Sequence, residues 1–189
     1  MNDFQVSRVQ VVNGLAQTVV DNGTVGTTGF EANGVFPLGA GFTAKASVVY
    51  SPAKFLEAFP VGATTPIAYK NMPLPRAPRW TGQLGISYVG AVSSRLQLKV
   101  DGSVDYSGDT DLQFRSTDPL SPIARKHALL DGKIALRDAK GGWEIAVIGS
   151  NITDRRYVNF ATALSVSGGA YYGTLNRPRI VAFQLSIFR

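Results

Sequence analysis

Residues 95–106, RLQLKVDGSVDY, separate by parity: Leu96, Leu98, Val100, Val104 and Tyr106 fall on one side, Arg95, Gln97, Lys99, Asp101, Ser103 and Asp105 on the other. Successive side chains of a strand point to opposite faces, so the segment predicts a strand with one apolar and one strongly polar face. The pattern recurs in FTAKASVVY (42–50), where Phe42, Ala44, Ala46, Val48 and Tyr50 oppose Thr43, Lys45 and Ser47. It recurs again in WTGQLGISYVG (80–90), where Trp80, Leu84, Ile86 and Tyr88 oppose Thr81, Gln83 and Ser87. Weaker signals predict strands at 3–12, 15–34, 127–137, 143–151 and 178–189, the second interrupted by glycines. Helical periodicity is nearly absent. The expected fold class is all-β and antiparallel, with about eight strands.

The connections alternate in length. Those near 37–41, 90–94 and 138–142 are short, whereas those between Tyr50 and Trp80 and over 107–125 and 157–177 are long. Only the Asn13-Gly14 turn, a strong hairpin signal, breaks the alternation. A soluble sandwich has no physical reason to gather its long loops at one end; an outer-membrane barrel has short turns at one end and long loops at the other. The aromatics agree. Phe42 and Tyr50, like Trp80 and Tyr88, are eight residues apart on one face. At about 3.3 Å per residue and a tilt of about 40°, that spans roughly 20 Å of height, close to the apolar band between the aromatic girdles of such barrels. The polar face, with Lys99, Asp101 and Asp105, suits a wet interior.

Composition narrows the classes further. Charged residues make up only 17% of the 189-residue chain, against about a quarter in ordinary soluble domains. No apolar run approaches the roughly 18 residues of a membrane helix. The net charge of +6 is scattered in singles and in the pairs Arg125-Lys126 and Arg155-Arg156, so no nucleic-acid stripe is expected. There is no cysteine, and the single histidine, His127, cannot build a His-rich metal site. Asp109 and Asp111 lack the glycine and bidentate glutamate of a calcium loop, and are expected to be solvated. No Gly-x-Ser-x-Gly elbow and no phosphate-binding loop occurs, so no enzyme and no cofactor is expected. MNDFQVSRVQ has neither the basic nor the apolar region of a signal peptide.

Four stretches together resemble the TonB-dependent outer-membrane receptors. WEIAVIGSNITDRRYV (143–158) resembles their penultimate strand, with Asn151, Thr153, Asp154, Arg156 and Tyr157 matching its outer end and Ile152 standing for the usual leucine. The closing segment has Pro178 and Arg179, then an apolar parity of Val181, Phe183, Leu185 and Ile187; where the family usually ends in phenylalanine this chain has Arg189, with Phe188 on the other face. KNMPLPRAPRWTGQLGISY (70–88) and DFQVSRVQVVNG with GFEANGVF resemble two earlier hairpin segments, so the likeness covers nearly the whole chain in order. The resemblance implies a transmembrane β-barrel segment, the last eight strands of a 22-stranded barrel, without signal peptide or the plug that carries the TonB-coupling motif.

It also implies the partners. These are outer-membrane lipid and lipopolysaccharide, the barrel assembly machinery that reads the terminal aromatic, and a bulky scarce ligand such as a metal chelate or oligosaccharide. The TonB complex would be reached only through the missing plug, and no nucleic acid is implied. Ligand-facing candidates are the loops 51–79, 107–126 and 158–177, with Tyr171 and Tyr172 placed to stack on a ligand or to join a girdle. Asn151 and Asp154 are expected to bond neighbouring backbone groups as Asx-turns. The Asn-Ile-Thr sequon is set aside for a bacterial protein. Two alternatives remain open on the residues alone: a self-standing eight-stranded barrel with a structural or adhesive role, and a soluble β-sandwich binding module whose apolar faces 42–50 and 96–106 pack together.

Overall fold

The computed structural model describes residues 4–57, 70–113, 122–163 and 171–188. They form strands and no helix: β1 (Phe4–Val12), β2 (Leu15–Gly23), β3 (Val25–Thr27), β4 (Phe30–Gly39), β5 (Phe42–Tyr50), β6 (Ala53–Phe55), β7 (Trp80–Ala91), β8 (Leu96–Ser107), β9 (Thr110–Asp111), β10 (Ile123–Ala124), β11 (His127–Asp138), β12 (Trp143–Ser150), β13 (Val158–Ala163), β14 (Tyr171–Leu175) and β15 (Ile180–Ile187).

Seven of these make one antiparallel sheet in the order β15-β12-β11-β8-β7-β5-β4. Each strand lies beside its neighbour in the chain, so the sheet is an up-and-down meander. Short turns join β4 to β5, β7 to β8 and β11 to β12 at one end. The long connections leave the other end, where a small strand pair prolongs each open hairpin end. β3–β6 prolongs the β4–β5 hairpin, β9–β10 prolongs β8–β11, and β13–β14 prolongs β12–β15.

The predicted strand over 15–34 is thus three strands, with breaks at Thr24 and at Thr28-Gly29, and it runs on to Gly39. The long loops likewise contain strands that their sequences did not predict. The β1–β2 hairpin, turned at Asn13-Gly14 (φ 52° and 79°), joins the sheet at the long-connection end, where the Phe4 ring meets Phe55 edge-on at 6.3 Å. The Asn13-Gly14 turn is thus a short turn on the side of the long connections, the exception the sequence predicts.

The β4–β5 turn depends on glycine at two positions for different reasons. Gly39 and Gly41 both have positive φ (83° and 85°), but a Cβ on Gly39 would meet open space, whereas one on Gly41 would lie 2.2 Å from the Val89 carbonyl oxygen. Gly39→Ala is expected to cost about 1 kcal/mol from backbone strain alone. Gly41→Ala should cost about 2–4 kcal/mol, because the clash is with backbone that cannot move aside. Denaturant unfolding of the two variants checks the order; equal losses would contradict the turn geometry.

Parity holds across all seven strands of the sheet. Register sets Ala46 beside Leu84 and Leu84 beside Val104, and sets Lys45 beside Gly85, Ser87 beside Asp101 and Asp101 beside Lys133. One face is apolar from edge to edge and the other is polar. Few of the described residues are buried. Among the described residues the buried apolar side chains are Val25, Phe55, Leu112, Ala124, Ala135, Ala146 and Ala161, and only Ala135 and Ala146 belong to the seven-stranded sheet. These two are register partners on the polar face, beneath longer charged side chains. Among the described residues no second layer packs on the apolar face. The sandwich alternative fails here: the apolar faces of 42–50 and 96–106 lie on the same side of one sheet, separated by β7, and cannot pack against each other.

Candidate functional site

The apolar face is exposed where a soluble protein would cover it. Phe183 is 84% exposed, Leu84 61% and Ile134 58%, and Ile86, Ile145, Val181, Leu185 and Ile187 are likewise exposed. Contiguous apolar surface of this kind exceeds what soluble monomers leave bare, and marks a surface built for another apolar phase or partner. Aromatic rings border it at two levels. Toward the long connections, Phe30, Tyr50 and Trp80 form a cluster with ring centroids 4.5–5.8 Å apart, and Tyr106 lies on the same face. Toward the short turns, Phe42 and Tyr88 pack at 4.6 Å, with Trp143 and Phe36 on the same face. The expected pairs Phe42/Tyr50 and Trp80/Tyr88 therefore stand in two rows.

The polar face is laced by short-range pairs. Lys133 Nζ lies 2.6 Å from Glu144 Oε1, Lys99 Nζ lies 3.4 Å from Asp101, and Gln83 Nε2 donates to Asp105 at 2.7 Å. Asp101 and Asp105 thus have separate partners and do not form a carboxylate dyad. Gln97 Oε1 and Arg137 Nε, on paired positions of β8 and β11, are buried without a hydrogen-bond partner. Lys133 and Glu144 are half-buried, so Lys133→Met is expected to cost about 1–2 kcal/mol by orphaning the carboxylate. Adding Glu144→Gln should recover most of that loss. A denaturation double-mutant cycle with additive losses would contradict the pairing.

The family-like stretch 151–157 builds a clamp at the rim. Asn151 has φ 48°, a left-handed conformation that asparagine tolerates, and it is only 5% exposed. Its side chain accepts from the Arg155 amide at 2.9 Å and donates to the Arg155 and Arg177 carbonyls at 3.0 Å each. Its amide donates to Asp131 Oδ1 at 2.6 Å. The turn lays Ile152 over Gly149 and Gly132 and sends its amide to the Leu130 carbonyl at 2.8 Å. Asp154, also left-handed, accepts from the Arg179 amide at 2.9 Å and pairs with Arg156 Nε at 3.4 Å. The expected Asx bonding is present, and it reaches across to the approach of β15.

The Tyr157 ring stacks on His127, centroids 3.6 Å apart and 17° from parallel, tying the clamp to β11. His127 Nδ1 lies 2.9 Å from the Arg125 carbonyl oxygen. Thr153 is exposed. Asn176 escaped the sequence reading: buried, it accepts from the Tyr157 amide at 2.9 Å and donates to the Arg155 and Arg177 carbonyls at 2.8 and 3.1 Å. So did Asp131, which receives the Asn151 amide. A polar residue at each strand end was the available signal, but nothing local tells which partner it will find 20 or more residues away.

The long connections meet above this clamp. Leu112, Ala124 and Ala161 form a small buried cluster with Val158 against it. Gln113 Nε2 donates to the Ala161 carbonyl at 3.1 Å, the Arg76 amide to the Asp111 carbonyl at 2.8 Å, and the Arg76 guanidinium sits 5.0 Å from the Phe160 ring centre. Asp111, expected to be solvated, is buried here. Asp109 accepts from the Lys126 amide at 2.6 Å. Among the described residues no cluster of three His, Asp or Glu is placed to hold a metal. Tyr171 and Tyr172 lie on β14 opposite Ala163 and Thr162, Tyr171 half-buried and Tyr172 exposed.

No protein-family model matches the chain, and no curated protein matches it. Among solved structures, the chain is similar to the ferric yersiniabactin uptake receptor FyuA from Yersinia pestis, with a TM-score of 0.70 and 19% identity. The match covers 87% of this chain and 24% of the receptor, so the chain spans about a quarter of that protein's length. At this identity the likeness establishes the fold: an all-β, antiparallel architecture like that of an outer-membrane receptor barrel.

Proposed function

We propose that this chain is the C-terminal strand segment of a TonB-dependent receptor in a bacterial outer membrane, serving uptake of a bulky, scarce ligand such as a metal chelate or an oligosaccharide. The observation that carries the reading is the two-faced sheet: an exposed apolar face bounded by two aromatic rows, backed by a charged face on which no apolar layer lies among the described residues. In a bilayer the first face meets lipid and the aromatic rows sit at its two interfaces. The second lines the passage. The converging long connections lie outside, where a ligand arrives, and the clamp at Asn151 and Asn176 anchors the last of them.

Strand direction supports a segment over a self-closed barrel. The sheet has seven antiparallel strands, so its two edges, β4 and β15, run the same way. They cannot pair with each other in an antiparallel barrel. Nor can β4 of one copy continue β15 of another inserted in the same sense. An odd number of further antiparallel strands must lie between them to close a barrel.

The nucleotide sequence upstream of the Met1 codon tests the segment reading. An in-frame continuation encoding further alternating strands and a plug is expected. A stop codon or an unrelated gene there would contradict it, leaving a small barrel-like protein without a transport role.

A further inference from the structure

The basic residues that lie scattered along the chain converge in the fold. The described parts of the three long connections, residues 51–57, 70–79, 108–113, 122–126, 151–163 and 171–179, hold ten lysines and arginines against four acidic residues. The seven-stranded sheet with its short turns holds six of each, and the rest of the chain three of each. The whole net charge of +6 therefore stands at one end of the sheet. All ten cations are exposed. The four acids are counted at full charge: Glu57 and Asp109 are exposed, Asp154 lies 3.4 Å from Arg156 Nε, and Asp111 is buried. The Lys126 amide that donates to Asp109 does not cancel its charge, and the excess of cations remains with every acid included.

Position decides what meets this charge. The cations come from all three long connections, so the field belongs to the mouth as a whole and not to one flank of the apolar face. At physiological salt it reaches about 8 Å into the water above. Like charges around the entrance of a cleft raise the local concentration of an oppositely charged ligand, and its association rate by about 10- to 1000-fold. The passage wall offers no such excess. Its upper part carries Glu31, Asp105 and Asp131, which repel an anion, while its cations Lys99 and Arg137 lie toward the short turns. Anion capture is thus a property of the rim. We propose that the ligand received at this mouth is polyanionic, a molecule with several carboxylate or equally acidic groups, gathered electrostatically before it makes contact. The inference rests on the uptake reading above and narrows its ligand to acidic metal chelates or acidic oligosaccharides, excluding neutral ones.

The full chain, folded in nanodiscs of phosphatidylcholine alone, is captured on a surface-plasmon-resonance sensor and exposed to matched probes. These are hexagalacturonate against its methyl ester, and ferric citrate against a neutral ferric tris-hydroxamate. At about 50 mM salt each acidic probe is expected to associate at least about tenfold faster than its neutral counterpart, an advantage that shrinks to about twofold at about 0.5 M salt. The acidic probe that dissociates more slowly at the higher salt identifies the source, chelate or oligosaccharide. Lys70→Gln, Lys126→Gln and Arg177→Gln, one in each long connection, should each slow the acidic probes about twofold, and together about tenfold. Arg95→Gln with Lys140→Gln, at the short-turn end, should leave the rates unchanged. If the triple variant fails to fold, the three single variants carry the comparison. Equal rates for acidic and neutral probes, no binding of either acidic probe, or an advantage that survives the mouth substitutions overturns the inference. So does tighter binding of a DNA oligonucleotide of equal charge, which would make the mouth a nucleic-acid surface. A chain that folds in water without lipid would remove the membrane reading itself, a result distinguishable from a nanodisc-folded chain that is indifferent to charge.

Discussion

Leu84→Arg is expected, on the membrane reading proposed above, to destabilise the vesicle-inserted protein by about 2–4 kcal/mol, the cost of a cation on a lipid-facing surface near the membrane midplane. Leu84 sits halfway along β7, between Ala46 and Val104, with its side chain bare on the apolar face. In water the same change at so exposed a site would fall within about 0.5 kcal/mol of neutral. The neighbouring residue supplies the control. Gln83 points to the other face and donates to Asp105, so Gln83→Arg keeps an anionic partner and should change stability by less than about 0.5 kcal/mol. Guanidinium unfolding in phosphatidylcholine vesicles compares the two. Comparable effects at 83 and 84, or a larger one at 83, would mean that the apolar face does not meet lipid.

The second large effect is at Asn151. Alanine there removes the acceptor of the Arg155 amide and two donors, and must still hold φ near +48°, so a loss of about 2–4 kcal/mol in rim stability is expected. Asn151→Gly retains the backbone freedom and should lose about 1–3 kcal/mol, the share due to the missing bonds. Asn176 bonds the same two carbonyls, so each asparagine partly covers for the other. The double variant should therefore lose more than the sum of the singles. Amide hydrogen exchange at Arg155, Tyr157 and Arg179 reads the clamp locally, and exchange unchanged in Asn151→Ala would contradict its role.

The parts of the fold legible in the sequence were those written in single residues or in strict alternation. The period-2 pattern of 42–50, 80–90 and 95–106 fixed which side chains share a face, and the lengths of the connections fixed which ends they leave. The short pairs β3–β6, β9–β10 and β13–β14 were not legible. Two to six residues carry too little periodicity, and such pairs exist because the hairpins below hold their ends together. The clamp was half legible. Asn151 and Asp154 are residue types that tolerate left-handed backbone, and they stand where a strand ends. Their partners at Asp131, Arg177 and Arg179, and the stacking of Tyr157 on His127, link positions 20 to 30 residues apart, which no local pattern encodes. Asp111 misled for the same reason: an aspartate in a polar loop reads as solvated until the other long connections close over it.

The chain has two tryptophans, and both lie on the apolar face, Trp80 at the long-connection end of β7 and Trp143 at the short-turn end of β12. Fluorescence quenching by lipids brominated at defined depths, in vesicles containing the folded chain, therefore tests the central claim at both borders of the face. Single-tryptophan variants should both be quenched, most strongly by bromines near the headgroup end of the acyl chain, and in opposite leaflets. Tryptophans that brominated lipid leaves untouched, while aqueous iodide quenches them in a folded chain, would contradict the account.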